Sequence, residues 1–129
     1  MKPRILIVDD DEAIIRQLRW TLNEDFDVVT ATDMQTAVRR VVIYEPAVAI
    51  LDLQMPPLED SPAVGLRILE YIKSHCPDSK VLVMSSANSI EIRKECFALG
   101  ADEFLDKPFE TEKLLATLRR MAPRELEFA

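Results

Sequence analysis

Histidine, cysteine and glycine are scarce in this sequence, and their scarcity excludes several kinds of site. The 129 residues include one histidine, two cysteines and two glycines. A single histidine, His75, supports neither a catalytic triad nor a histidine-based metal site, and Cys76 and Cys96 do not have the spacing of zinc ligands. We expect both cysteines to be free thiols. Two glycines are too few for a glycine-rich phosphate-binding loop.

Basic residues and long apolar runs are also limited. The sequence has 16 Lys and Arg against 23 Asp and Glu, a net charge of −7, which argues against nucleic acid as a direct partner. No apolar run approaches the ~20 residues that span a bilayer, so no membrane partner is expected. The apolar run before Asp9 is too short for a signal peptide. These absences predict a cytoplasmic protein.

The composition is that of an ordinary globular domain. Hydrophobic residues make up 48% of the chain and charged residues 30%, so a core and a well-solvated surface are both available. The length suits one domain. We expect that domain to occupy residues 1–122, with residues 123–129 forming a C-terminal tail or the start of a linker.

Five short apolar runs alternate with five segments of helical periodicity. This order predicts an α/β fold in which helices cover both faces of a parallel sheet. Right-handed crossovers favour a doubly wound, flavodoxin-like sheet with strand order 2-1-3-4-5. The predicted strands are Arg4–Val8, Asp27–Ala31, residues 47–52, Lys80–Met84 and Glu103–Asp106.

The second predicted helix carries a recognisable start signal and an apolar stripe. Thr32 with Gln35 three residues later resembles a capping box, which predicts Thr32 as the N-cap. The apolar spacing then predicts one buried face, made of Met34, Ala37, Val38, Val41 and Val42.

Chemically reactive side chains follow the predicted strands at the points where the strands end. Asp9 and Asp10 follow strand 1, Asp52 ends strand 3, and Ser85 and Lys107 follow strands 4 and 5. The carboxyl ends of parallel strands meet at one edge, so these groups should converge. Three neighbouring carboxylates repel unless they bind a proton or a cation, and oxygen ligands favour Mg²⁺.

The chain resembles the receiver domain of two-component response regulators from Arg4 to about Arg120. Each matching motif is weak alone, but four in the right order and spacing are specific. They are Ile7-Val8-Asp9-Asp10-Asp11, Leu51-Asp52-Leu53-Gln54-Met55-Pro56, Val83-Met84-Ser85-Ser86, and Gly100-Ala101-Asp102-Glu103-Phe104-Leu105-Asp106-Lys107-Pro108-Phe109.

The resemblance implies a phosphorylation site. Asp52 matches the phosphoacceptor, which receives a phosphoryl group from a histidine kinase or a phosphotransfer protein. Asp9, Asp10 and Asp52 match the Mg²⁺ site, with Asp9 acting mainly through water, and Gln54 would add a backbone carbonyl. Lys107 matches the lysine that contacts the phosphoryl oxygens.

The resemblance also implies a conformational switch. Ser85 matches the hydroxyl residue that turns to the phosphoryl group, and Phe104 matches the aromatic residue that rotates inward as it does so. The bond before Pro108 is expected to be cis. Helix 4, strand 5 and helix 5 would form the output face. This face would contact an output domain or a protein partner, or a second copy of the chain in a homodimer.

Other functions on the same fold remain as alternatives. The main reading is a signalling switch that is no enzyme, since it catalyses only its own phosphorylation and slow dephosphorylation. An unphosphorylated interaction module is the runner-up. A Mg²⁺-dependent aspartyl phosphatase usually has a second acid two residues after the nucleophile, where this chain has Gln54. A flavin- or nucleotide-binding domain would need a phosphate loop after strand 1, where this chain has acids.

One segment departs from the family pattern. Eight residues (57–64) separate Pro56 from Gly65, where the family usually has three. The segment Pro57–Pro62 contains the excess. We hypothesise that it forms a longer loop or an added helical turn that restricts access of partners to Asp52.

Overall fold

Five parallel β-strands alternate with five α-helices in a computed structural model that describes residues 2–58, 60–86 and 89–121. The predicted tail, residues 123–129, lies outside the described residues. The strands are β1 (Arg4–Val8), β2 (Asp27–Ala31), β3 (Val48–Asp52), β4 (Lys80–Ser85) and β5 (Glu103–Asp106). The helices are α1 (Glu12–Leu22), α2 (Met34–Tyr44), α3 (Ala63–His75), α4 (Ile90–Ala98) and α5 (Thr111–Met121).

The sheet has the order β2-β1-β3-β4-β5, with every neighbouring pair parallel. The predicted doubly wound fold is therefore confirmed. The central strand β3 is buried along its whole length, which agrees with its unbroken apolar sequence. No helix within the described residues is long and apolar enough to cross a membrane.

Alternate residues of each strand enter two separate cores, because successive side chains point to opposite faces of a sheet. On one face, strand residues such as Leu51 and Val83 pack among side chains from α2, α3 and α4. On the other, Ile50 and Met84 pack among side chains from α1 and α5. Each fully buried aliphatic side chain contributes roughly 1.5–3 kcal/mol, so both helical layers are firmly attached.

Two details of α2 differ from the sequence prediction. The N-cap is Asp33, whose carboxylate accepts the Thr36 N–H at 2.8 Å, so the prediction of Thr32 was wrong by one residue. The backbone of Asp33 is extended, the conformation that lets a cap side chain turn back on the first helical turn. Val42 is 48% exposed, because the buried stripe is centred on Ala37 and Val41, one helical turn apart.

The edge of the sheet opposite the strand carboxyl ends is fixed by an ion pair that the sequence analysis did not predict. Lys73 Nζ donates to Asp102 Oδ2 at 2.9 Å and to the Ser79 carbonyl at 2.6 Å. Asp102 Oδ2 also accepts the Val81 N–H at 2.9 Å. One carboxylate thus joins the end of α3 to the starts of β4 and β5.

Gly65 lets α3 approach the turn that follows β3. The Gly65 N–H donates to the Leu53 carbonyl at 3.2 Å. A Cβ at Gly65 would lie 2.3 Å from Leu53 Cα and 2.6 Å from Leu53 O, and both are backbone atoms that cannot rotate away. The described part of the inserted segment is an irregular loop rather than an added helical turn, and α3 begins at Ala63. The Pro56–Pro57 bond in this loop is cis.

Gly65→Ala is expected to lower the free energy of unfolding by about 1–3 kcal/mol, because the added methyl group overpacks the contact with Leu53. Urea denaturation followed by circular dichroism measures the effect. Glu70→Ala, at an exposed position of the same helix, is the matched control and should change stability by no more than about 0.5 kcal/mol. An unchanged urea midpoint for Gly65→Ala would contradict the close approach.

Candidate functional site

Four side chains from four strands meet at the carboxyl edge of the sheet. Asp9 follows β1, Asp52 is the last residue of β3, Ser85 is the last residue of β4, and Lys107 follows β5. Asp9, Asp52 and Ser85 are 2%, 4% and 0% exposed, so these polar groups are held inside the protein. Buried polar groups need partners within the fold, and the two carboxylates find one in Lys107.

Lys107 joins the two buried carboxylates. Its ammonium lies 2.8 Å from Asp9 Oδ2 and 3.2 Å from Asp52 Oδ2. The Lys107 backbone N–H donates to the Ser85 carbonyl at 3.0 Å, which anchors the lysine to β4. A buried carboxylate without a cation is strongly destabilising, so this lysine is what makes the paired acids tolerable.

The second oxygen of each carboxylate is oriented by the chain that follows it. Asp9 Oδ1 accepts the Asp11 N–H at 2.9 Å, and Asp52 Oδ1 accepts the Gln54 N–H at 3.2 Å. Such bonds to the backbone two residues on are typical of aspartates in turns. Asp11 itself caps α1 by accepting the Ala13 N–H at 2.9 Å. Both site carboxylates are therefore fixed at both oxygens.

Burial and charge act in opposite directions on the protons of this site. Burial and the Asp9 charge raise the pKa of Asp52 from 3.8 to about 6, although Lys107 and the Gln54 N–H oppose the rise. Burial by itself would lower the pKa of Lys107, but its hydrogen bond with Asp9 and the charges of Asp9 and Asp52 raise that pKa above its ordinary value. Lys107 thus stays cationic, whereas the charged form of Asp52 is disfavoured.

Asp10 completes a group of three carboxylates. One oxygen each from Asp9, Asp10 and Asp52 lies within 4.8 Å of the other two, and Asp10 is the most exposed of the three. An all-oxygen donor set that is open to solvent on one side suits a hard cation that retains waters, such as Mg²⁺. Burial first and the Asp9 charge second raise the pKa of Asp52, so its charged form lacks full compensation by Lys107. The residues present therefore fit a divalent cation.

Ser85 and Phe104 lie on neighbouring strands next to this group. The Ser85 hydroxyl donates to Gln54 Oε1 at 3.1 Å. Phe104 is paired with Val83 across β4 and β5, so it lies on the same face of the sheet as Ser85. Phe104 is 8% exposed, and the Arg93 guanidinium of α4 lies 4.9 Å from the centre of its ring.

The side-chain contacts of Gln54 and Arg93 were not predicted from the sequence. Gln54 was expected to act through its backbone carbonyl, and the structure adds a side-chain contact with Ser85. Nothing in the sequence indicated the contact of Arg93 with Phe104, since arginines are common on solvated helix faces. The Lys107–Pro108 bond is cis in the structure. Beside it opens a cleft of about 310 Å³, lined by Ile14, Gln17, Ser86, Lys107, Pro108 and Phe109.

Comparison with known proteins identifies the family of this chain. The family model of the response regulator receiver domain matches residues 5–119. The chain belongs to this family. As a receiver domain it is part of the two-component systems, in which response regulators act.

Three relatives show how far the likeness extends. The response regulator MprA of Mycolicibacterium vanbaalenii is 34% identical over 125 residues, which are 96% of this chain and 52% of that protein. The receiver chain thus spans about half the length of the curated relatives it matches. The chemotaxis protein CheY4 of Vibrio cholerae is 29% identical, with a TM-score of 0.84 over 94% of this chain and 99% of that one. A response regulator of Burkholderia pseudomallei is 25% identical, with a TM-score of 0.79 over 91% of this chain and 66% of that one.

Asp52→Asn is expected to raise the free energy of unfolding at about pH 7.5 in metal-free buffer by about 1–3 kcal/mol. The folded protein holds the Asp52 proton more tightly than the unfolded chain does, with a pKa of about 6 against 3.8. The wild-type protein therefore loses stability as the pH rises through this window. The gain of the variant is present above about pH 6 and lost below about pH 4.

Urea denaturation with a chelator at several pH values measures this difference. Asp78→Asn makes the same chemical change at an exposed position and should leave stability within about 0.5 kcal/mol throughout. If Asp52→Asn has the same stability as the wild type at neutral pH, Lys107 fully compensates the buried charge and the expectation is wrong.

Proposed function

We propose that this receiver domain is a phosphorylation-activated switch in which Asp52 accepts a phosphoryl group from a histidine kinase or a phosphotransfer protein in a Mg²⁺-dependent reaction. The observation that carries the proposal is the contact of Lys107 with both Asp9 and Asp52 beside the group of three carboxylates. A buried aspartate held between an ammonium and a cation-binding cluster is equipped for phosphoryl transfer.

Each residue of the site has a separate role in the proposed phosphoryl transfer. An ionised Asp52 oxygen attacks the phosphorus, forming an acyl phosphate as the bond to the donor nitrogen breaks. Lys107, whose raised pKa keeps it protonated, offsets charge on the phosphoryl oxygens. Asp9 holds the lysine in place at 2.8 Å. The Gln54 N–H fixes the carboxylate of Asp52, so that its other oxygen faces the lysine.

Mg²⁺ would be held by Asp9, Asp10 and Asp52, with the Gln54 carbonyl as a further ligand, Asp9 acting mainly through water. When bound, it supplies positive charge that stabilises the oxygens of the phosphoryl group during transfer. Support for a cation here comes from the all-oxygen donor set and its spacing. In the related Burkholderia pseudomallei protein, the crystal structure contains a phosphorylated aspartic acid and a calcium ion.

We expect phosphorylation to change the conformation of the output face, which is formed by α4, β5 and α5. A phosphoryl group on Asp52 attracts the Ser85 hydroxyl, and Phe104 on the adjacent strand rotates inward as the hydroxyl turns. This rotation alters the conformation of the α4–β5–α5 face. The partners of the switch are then a sensor kinase or phosphotransfer protein at the site, and an output domain, protein or second copy at the face. We place the switch in the cytoplasm, without nucleic acid or membrane as a direct partner, and regard it as a protein that turns over no substrate but its own phosphoryl group.

Phosphorylation is expected to require Asp52. Incubation with Mg²⁺ and acetyl phosphate should add one phosphoryl group to the wild-type protein, seen by intact-protein mass spectrometry, and none to Asp52→Asn. Asp78→Asn should be modified like the wild type, because its exposed side chain precedes the start of β4, at the edge of the sheet opposite the strand carboxyl ends.

The same incubation separates the alternatives. Rapid hydrolysis of many phosphate esters would favour an aspartyl phosphatase. No response to acetyl phosphate or to beryllofluoride would favour an interaction module that shares the fold. Modification that persists in Asp52→Asn would place the acceptor elsewhere and contradict the proposal.

The inserted loop is expected to restrict access of a protein donor. Its described residues include the exposed side chains of Pro57, Leu58 and Asp60, in the loop that follows β3 and Asp52. Deletion of residues 57–61 should raise the rate of phosphotransfer from a cognate kinase at least twofold, while acetyl phosphate, which is small, should react at the wild-type rate. Unchanged transfer from the kinase would show the insertion to be a neutral surface feature.

A further inference from the structure

Gln54 connects the phosphoacceptor to the buried hydroxyl of β4. Its backbone N–H donates to Asp52 Oδ1 at 3.2 Å, and its side-chain Oε1 accepts the Ser85 hydroxyl at 3.1 Å. Ser85 is fully buried, whereas Gln54 is only partly buried. The hydroxyl therefore depends on the protein for an acceptor, while the amide can turn to water.

A hydroxyl carries one proton and donates it to one acceptor at a time in a good hydrogen bond. In the structure Gln54 Oε1 lies 3.1 Å from the Ser85 hydroxyl and accepts its hydrogen bond. A phosphoryl oxygen on Asp52 would be a competing acceptor. Hydrogen bonds to a charged acceptor are roughly twice as strong as neutral ones, so the Ser85 hydroxyl would bind the phosphoryl oxygen in preference to Gln54. The bond to Gln54 must break before the new one forms, and its loss reduces the net gain.

We propose that the Gln54 side chain is a positioning residue that holds the Ser85 hydroxyl away from the phosphorylation site and thereby sets how much phosphoryl-like ligand is needed to activate the domain. This inference rests on the proposed function, because it concerns the ligand that Asp52 would carry. It assigns a role to the amide of Gln54 that is separate from the backbone carbonyl expected to face the metal.

Removal of the Gln54 acceptor should increase the affinity for beryllofluoride by a predictable factor. Without the Gln54 acceptor, the resting state loses a hydrogen bond that the activated state does not contain. A neutral hydrogen bond changes an equilibrium by a factor of about 2–10. Gln54→Met keeps the length of the side chain and removes the acceptor, so this variant should bind beryllofluoride about 2–10-fold more tightly in the presence of excess Mg²⁺.

A double-mutant cycle separates this role from a direct effect of Gln54 on the site. The four proteins are the wild type, Gln54→Met, Ser85→Ala and the double variant. Each is titrated with beryllofluoride at saturating Mg²⁺, and the half-saturating concentration is read from backbone amide signals by NMR. Gln54→Met should tighten binding in the Ser85 background and leave it unchanged in the Ser85→Ala background, where no hydroxyl exists to be held.

The outcomes are distinct. Equal affinity of the wild type and Gln54→Met overturns the inference and leaves the proposed function standing. An equal gain in both backgrounds also overturns it, because Gln54 would then act on the ligand without Ser85. Failure of the wild type to respond in an Asp52-dependent manner overturns both proposals. Circular dichroism checks that each variant is folded, and Gln54→Leu replaces Gln54→Met if that variant is not.

Discussion

The contact of Lys107 with Asp9 and Asp52 is the interaction on which the site depends. Two carboxylates, each less than a tenth exposed, face one another at the end of a sheet whose strands are otherwise apolar. Without the ammonium between them, negative charge would be buried with no compensating cation, a change that costs about 3–5 kcal/mol when a buried pair loses one partner. The lysine comes from β5, so the arrangement exists only when β1, β3 and β5 are assembled in their final order.

Lys107 does not fully compensate the buried charge of Asp52. The proposed chemistry depends on this uncompensated charge. Asp52 keeps a pKa of about 6 despite Lys107, because burial and Asp9 still disfavour its charge. A divalent cation beside Asp52 would favour the charged form of this buried carboxylate, which is the form that the proposed phosphoryl transfer needs at neutral pH. The rest of the fold supplies stability, through two apolar layers and the Lys73–Asp102 pair at the far edge, to offset a site that is costly by itself.

The proposed route from the site to the output face is short. Gln54 contacts Asp52 by its backbone and Ser85 by its side chain, and Phe104 lies beside Val83, two residues before Ser85 on the same face of the sheet. Arg93 covers the ring of Phe104 from α4. Each step is a packed or hydrogen-bonded contact between neighbouring elements, so under the proposed function a change in the partner of one hydroxyl would reach a surface helix without a large rearrangement of the core.

Local pattern was enough to predict the strands, the order of the sheet and the meeting of Asp9, Asp10, Asp52 and Lys107, because parallel strands bring their carboxyl ends to one edge whatever the details of packing. It failed where two residues were equally suited in sequence, as at the cap of α2, where Asp33 rather than Thr32 has the extended backbone. Only the tertiary structure decided that Gln54 accepts the Ser85 hydroxyl, that Arg93 lies over Phe104, and that Lys73 reaches Asp102. These pairs lie on different elements, and sequence spacing carries no information about which long side chains of neighbouring elements come within hydrogen-bonding distance.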